Sequence, residues 1–340
     1  MGYNKAFLFL PFPMIYPWHQ SAWHDLSANL GRLPHALLLS GKAGIGKAAF
    51  ARRLAQTLLC ENGGREACGT CPSCHLYQQN GHPDFYLLTP EMPEGESETR
   101  KLLQIKISEV RAVIEKIQLT AVRGGRRVVL VEPAESMNIQ AANALLKVLE
   151  EPPAGVHFIL VSHARDKLLP TIKSRCRENL LPAPDHAEAA AYLAENGIQN
   201  AEALLAFHSG APLFEAQPEQ DALRERLAEL LAAPRLLGIL DFAADFDKKK
   251  WPLALFLDWL QKWLVDVGLA QQQLPALYYP HHQTALAGVG RRTAAAALFD
   301  LNRRISRLHP YGRHTLSAKM QLEYLLTEYL SFWQNKSSCN

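Results

Sequence analysis

The sequence has no apolar run approaching the roughly 20 residues that a membrane-spanning helix needs, which argues against an integral membrane protein. It also lacks a strong excess of either charge. With 36 basic and 33 acidic side chains the formal net charge is +3, too weak to imply tight electrostatic binding to nucleic acid and no bar to it. An export signal is missing as well: the opening stretch MGYNKAFLFLPFP is broken by Pro11 and Pro13, and no small-residue cleavage site follows. Residues 1–14 read as an N-terminal extension, and the cytoplasm is the expected compartment. Cysteine is scarce, yet four of the six fall between positions 60 and 74. In a reducing compartment such a cluster points to metal before disulfides. The 13 histidines form no convincing metal set, and no internal repeat or low-complexity tract is present.

A chain of 340 residues implies two or three domains. From 15 to 182 strands and helices alternate. Short apolar runs at 35–40, 84–88, 127–131, 156–162 and 179–181 read as strands, and the continuous character of RVVLV and VHFILVS suits strands buried on both faces of a parallel sheet. Helices are expected at 47–60, 108–118 and 141–150, giving a doubly wound α/β domain. The segment 92–99 reads as a polar surface loop. Beyond 182 no strand is convincing. Helices are expected at 187–196, 201–208, 218–233, 252–271, 292–308 and 316–333. Phe256, Trp259 and Trp263 recur at helical spacing, the pattern of core or subunit contact. Lys248-Lys249-Lys250 reads as a solvated turn.

Gly41-Lys42-Ala43-Gly44-Ile45-Gly46-Lys47 lies between a strand and a helix, the setting of a phosphate loop. Gly41, Gly44 and Gly46 would let backbone N–H groups wrap a phosphate at the helix N-terminus, and Lys47 would reach the outer phosphates. The next residue should carry a hydroxyl for Mg²⁺, but it is Ala48. The strand 127–131 should end in an acid followed by a water-activating Glu. Glu132 supplies the acid, while Pro133 occupies the second position and Glu135 lies two residues further on. Binding without turnover, or no binding at all, is the reading these two losses support.

Cys60, Cys68, Cys71 and Cys74 follow in the spacing C-x7-C-x2-C-x2-C. Four thiolates close a tetrahedral structural zinc site and leave no position open for catalysis, so the site would staple a loop. An iron–sulfur cluster has the same ligand type and is the lesser alternative. Cys176 and Cys339 lie far off and are not expected to be ligands.

Arg32-Leu33-Pro34-His35-Ala36-Leu37-Leu38, the cysteine module, Asn143 to Pro153 (NALLKVLEEPP) and Ser174-Arg175-Cys176 together resemble the clamp-loader branch of the AAA+ proteins. The resemblance spans about 32–177. It implies an AAA+, RecA-like P-loop domain over 15–182 with an inserted zinc module at 60–74. A small helical lid at 183–216 and an all-helical collar at 217–340 would follow. Within that family the losses at Ala48 and Pro133 resemble the degenerate delta-prime type rather than the gamma/tau motors. Leu213, where the family's lid carries a phosphate-sensing Arg, agrees. The resemblance further implies a non-hydrolysing subunit that assembles with gamma/tau and delta subunits to place a sliding clamp on primer-template DNA. Arg175 would then act in trans as an arginine finger, with Ser174 and Cys176 holding its turn. The rival expectation is a catalytically active gamma/tau-like ATPase. Lys147 would face a neighbour, DNA phosphates or plain solvent.

Overall fold

The computed structural model describes residues 15–90, 104–123, 125–198, 201–214, 217–308 and 318–334. Residues 1–14, the loop expected at 92–99 and Cys339 lie outside them. The chain divides into two compact units. One holds the sheet and its helices as far as Tyr192 together with Gly210–Leu213, and the other holds Leu193–Ser209 and the chain from Phe214 onward.

In the first unit, strands β1 (Ala36–Ser40), β2 (Phe85–Leu88), β3 (Arg127–Val131), β4 (Val156–Ser162) and β5 (Arg177–Leu180) form a parallel sheet in the order β2-β3-β4-β1-β5. Its helices are α1 (Gln20–Ser27), α2 (Lys47–Leu59), α3 (Pro72–Gln78), α4 (Ile107–Ile117), α5 (Ile139–Glu150) and α6 (Pro170–Lys173). Successive strand side chains point to opposite faces. Leu37, Leu39, Val128, Leu130, Ile159 and Val161 meet Phe50, Leu54 and Leu58 of α2 on one face. Ala36, Leu38, Val129, Val131, Phe158 and Leu160 meet Val110 of α4, Leu145 of α5 and Ile172 after α6 begins on the other. Both faces are dry, which is why β1, β3 and β4 read as unbroken apolar runs. The chain leaves β1 toward one face and neighbouring β4 toward the other, so the carboxyl ends of these two strands flank a topological switch point.

The parallel α/β expectation is met, with the P-loop and AAA+ layout, and the differences are local. Strand β2 runs from Phe85, one residue later than expected, although the Asp84 carbonyl already accepts the Val128 N–H at 2.9 Å; the Asp84 carboxylate accepts the backbone N–H groups of Val122 (2.8 Å) and Arg123 (2.7 Å). Edge strand β5 runs Arg177–Leu180 rather than 179–181; paired only with β1 and solvent-facing at Arg177 and Glu178, it offers little apolar signal. Helices α1, α3 and α6 are additions to the expected set.

The second unit is helical throughout its described residues. After α7 (His186–Glu195), which carries the division at Tyr192, come α8 (Ala201–Phe207), α9 (Pro218–Ala232), α10 (Leu236–Lys248) and α11 (Leu253–Gln271). Then follow α12 (Gln283–Arg292), α13 (Ala295–Leu308) and α14 (Ala318–Gln334). Phe256, Trp259 and Trp263 of α11 are core, as their spacing indicates. Trp263 donates to the Tyr329 hydroxyl at 3.1 Å, and that hydroxyl donates to the Leu231 carbonyl at 2.9 Å. Helices α10 and α12 were not expected. In α10 the buried set Ile239, Phe242, Ala243 and Phe246 is blurred by exposed Leu236, Leu237 and Leu240, which flatten the amphipathic pattern. Lys248–Lys250 are exposed at its end, a solvated turn.

Candidate functional site

The glycine-rich loop joins β1 to α2. Gly44 and Gly46 take positive φ of 71° and 94°, a conformation that costs little only without a Cβ. The loop is packed by its own chain. A Cβ on Gly46 would overlap the Tyr16 ring, and one on Gly44 would lie 2.9 Å from the Leu213 carbonyl oxygen. The Leu213 N–H donates to the Gly44 carbonyl at 3.0 Å, and the Trp18 indole N–H donates to the Ile45 carbonyl at 2.8 Å. Tyr16 stacks on Trp18 with ring centroids 5.1 Å apart, and Tyr192 meets both edge-on. Burial, with Tyr192 nearby, pushes the Tyr16 phenol up to about 12.

Lys47 is almost fully buried and its ammonium donates to the carbonyl of Lys42 in the same loop. Desolvation pulls its pKa down to about 8, against the opposing pull of Glu135 and Glu132. Glu132, also buried, is paired with Arg52 of α2 at 3.2 Å. Glu135 accepts the His163 backbone N–H at 2.9 Å. The His163 imidazole is lowered to about 4, first by burial and then by Lys47. Lys47, Glu132, Glu135 and His163 thus gather at the carboxyl ends of β1, β3 and β4. Lys47 Nζ and one carboxylate oxygen each of Glu132 and Glu135 are engaged internally, while Glu135 Oε2 and His163 Nδ1 are buried without a hydrogen-bond partner among the described residues. This arrangement does not fit a magnesium nucleotide. Ala48 offers no oxygen, Glu132 is held by Arg52, and Gly46 lies against an aromatic ring.

The cysteine module follows α2, which ends where Cys60 takes an extended conformation. All four sulfurs lie within 4.8 Å of one another, and Cys60 Sγ is 4.0 Å from Cys71 Sγ. Four thiolates around a zinc at about 2.3 Å would be spaced at about 3.8 Å, so the donor set fits a tetrahedral ion. Cys71 caps α3, with Pro72 at its first position, and its sulfur accepts the Cys74 N–H at 3.4 Å. The Cys68 N–H donates to Cys60 Sγ at 3.4 Å and the Cys71 N–H to Cys68 Sγ at 3.3 Å. Hydrogen bonds from Thr70 and Cys71 lower the exposed Cys68 thiol to about 6, whereas burial raises that of Cys74. Ser73 ties the module down, donating to the Leu59 carbonyl at 2.5 Å and meeting His82 Nε2 at 2.6 Å. The four cysteines can therefore hold a metal ion. Cys176 is buried in the sheet core, apart from them.

Arg175 follows α6. Ile172 and Cys176 are buried on either side of it in sequence, which leaves Arg175 at the surface. Its Nε donates to Glu150 Oε1 at 2.6 Å, its Nη2 donates to the same oxygen, and its Nη1 donates to the Thr171 carbonyl at 2.9 Å. Ser174 Oγ accepts from Nη1 at 3.4 Å and donates to the Thr171 carbonyl at 3.2 Å. Glu150 ends α5, the NALLKVLEEPP helix, which Asn138 caps by accepting the Ala141 N–H at 2.8 Å. Lys147 lies on the exposed face of α5. Tyr16, Arg52 and the pairing of Glu150 with Arg175 were not foreseen. Only the density of aromatics at Tyr16, Trp18 and Trp23 hinted at any of them.

The fold and these sites define a P-loop domain of AAA+ layout whose own phosphate loop is internally engaged. A family model described as DNA polymerase III, delta subunit, matches residues 19–184. The DNA polymerase III subunit delta′ of Pseudomonas aeruginosa is 39% identical over 268 residues, covering 76% of this chain and 78% of that protein. The delta′ subunit of Yersinia pestis is 34% identical over 95% of this chain and 96% of its own. The tau subunit of Escherichia coli is 36% identical over 158 residues, 46% of this chain and 23% of that protein. The chain belongs to the family of DNA polymerase III delta′ subunits.

Proposed function

We propose that this chain is the non-hydrolysing subunit of a DNA polymerase III clamp loader. It would assemble with gamma/tau motor subunits and delta to load a sliding clamp on primed DNA, and would supply Arg175 in trans to a motor subunit's ATP. One contrast carries the reading: the chain's own loop is closed by Tyr16 and Leu213, while Arg175 is held at the surface with its guanidinium fixed. A planar, permanently charged guanidinium can bridge phosphate oxygens and stabilise charge as it develops on the γ-phosphate. Ser174 supports the turn that presents it, and buried Cys176 anchors that turn in the core. Zinc at Cys60, Cys68, Cys71 and Cys74 would tie the module to the end of α2 and take no part in catalysis. The chain would be organised as the P-loop domain (15–182), a lid (183–216) and a collar (217–340) that joins the other subunits.

The test is ATP turnover by the metal-replete chain alone and after reconstitution with motor and delta subunits. The expected result is negligible turnover alone and clamp loading that requires the chain. Substantial turnover by the isolated chain, abolished by Lys47→Ala, would instead establish a gamma/tau-like ATPase.

A further inference from the structure

We infer that Glu150 is a positioning residue for Arg175, fixing the guanidinium in the orientation that a neighbouring subunit's phosphate meets. The inference rests on the reading of Arg175 as a trans-acting finger. A single carboxylate oxygen of Glu150 receives both Nε and Nη2, and the Thr171 carbonyl receives Nη1, so all three nitrogens are held by residues of two different elements. A guanidinium has five N–H donors, and these contacts leave at least one on Nη2 for an incoming anion. The long Ser174 contact at 3.4 Å is easily exchanged for another.

Glu150 sits at the last residue of α5, where the partial negative charge of the helix end disfavours a carboxylate. Arg175 offsets that local cost. Both side chains stay accessible, 29% for Arg175 and 49% for Glu150. Exposed pairs of this kind contribute little to folding. The consequence of the pair is therefore geometric: it replaces a long, mobile side chain by a fixed one before the neighbour arrives, which is the condition for effective transition-state stabilisation.

The experiment measures DNA- and clamp-stimulated ATP turnover of the reconstituted loader containing full-length Arg175→Ala, Glu150→Ala, Glu150→Gln, or Arg175→Ala with Glu150→Ala. Glu150→Ala is expected to lower kcat about tenfold at the affected interface with KM for ATP little changed. Glu150→Gln keeps an acceptor oxygen and should recover most of that loss. In the Arg175→Ala background, Glu150→Ala should add nothing. Normal or raised turnover with Glu150→Ala, alongside a loss with Arg175→Ala, overturns the positioning role and leaves the finger intact. Equal losses in Glu150→Ala and Glu150→Gln also overturn it, since charge rather than placement would then be at stake. Unchanged turnover with Arg175→Ala overturns the finger, and this inference with it.

Discussion

Two parts of this chain carry cations of phosphate-binding type, Lys47 in the glycine-rich loop and Arg175 before β5, and they are finished in opposite ways. At the glycine-rich loop, the groups that a nucleotide would use are spent on the chain itself: Lys47 on a loop carbonyl, Glu132 on Arg52, and the Gly46 surface on Tyr16. At the start of β5, a cation is presented at the surface, aligned by Glu150 and Thr171. The first region has lost its hydroxyl and its second-strand base and gained internal contacts. The second presents a guanidinium at the surface, the group that the proposed role in trans would use. On the proposed function, the fold would have retained an interface after its own reaction was gone, because the two are carried by different strand ends.

The comparison breaks most decisively at Arg175. Arg175→Ala should lower hydrolysis at the one dependent interface by about 10³, the lower range for arginine fingers, with the melting temperature of the chain little changed. Pre-steady-state phosphate release from the assembled loader would reveal it, and full turnover at every interface would contradict the assignment.

The cysteine module gives the next largest effect. Chelation, or Cys74→Ser, should remove a closed metal site and destabilise the end of α2 and helix α3 by several kcal/mol. Mass spectrometry under native conditions should find one zinc per chain before chelation and none after, with increased proteolysis around 60–80. An unchanged digestion pattern would show that the module does not depend on metal.

A smaller effect separates packing from phosphate binding at the loop. Gly46→Ala adds a Cβ at φ 94° against the Tyr16 ring, and should cost about 2 kcal/mol even without nucleotide. Combining it with Tyr16→Ala should return part of that loss, as urea unfolding of the four chains would reveal. If the two substitutions are simply additive, Tyr16 does not seal the loop.

The smallest expected effect is on pH dependence. Burial holds His19 and His163 near 4, below the ordinary imidazole value of 6.5. Their folded pKa values are depressed, so the unfolded chain takes up protons first on acidification. Stability should therefore fall as pH drops from 6.5 toward 4, and hold above that window. His19→Phe should flatten part of the slope in melting curves recorded across it. A wild-type chain with no slope would contradict two buried neutral imidazoles.

Much of this was legible before the fold was known. The P-loop glycines, the missing hydroxyl at Ala48, the proline at 133 and the cysteine spacing depend on residues close together in sequence, where local geometry decides. Continuous apolar runs identified β1, β3 and β4 because both sheet faces are covered. Helices α10 and α12 escaped because their inward faces are matched by exposed leucines or small residues, so periodicity alone did not separate inside from outside.

The sequence by itself determined which chemistry was absent: an alanine cannot hold magnesium and a proline cannot act as a base, whatever surrounds them. Only the tertiary structure decided what replaced that chemistry. Tyr16 reaches Gly46 across 30 positions, Arg52 meets Glu132 across 80, and Arg175 finds Glu150 across 25. Side chains that far apart meet only because the parallel sheet gathers distant segments at its two ends, beyond the carboxyl ends of β1 and β3 for the first two pairs and between the end of α5 and the start of β5 for the third, and no local pattern records such pairings.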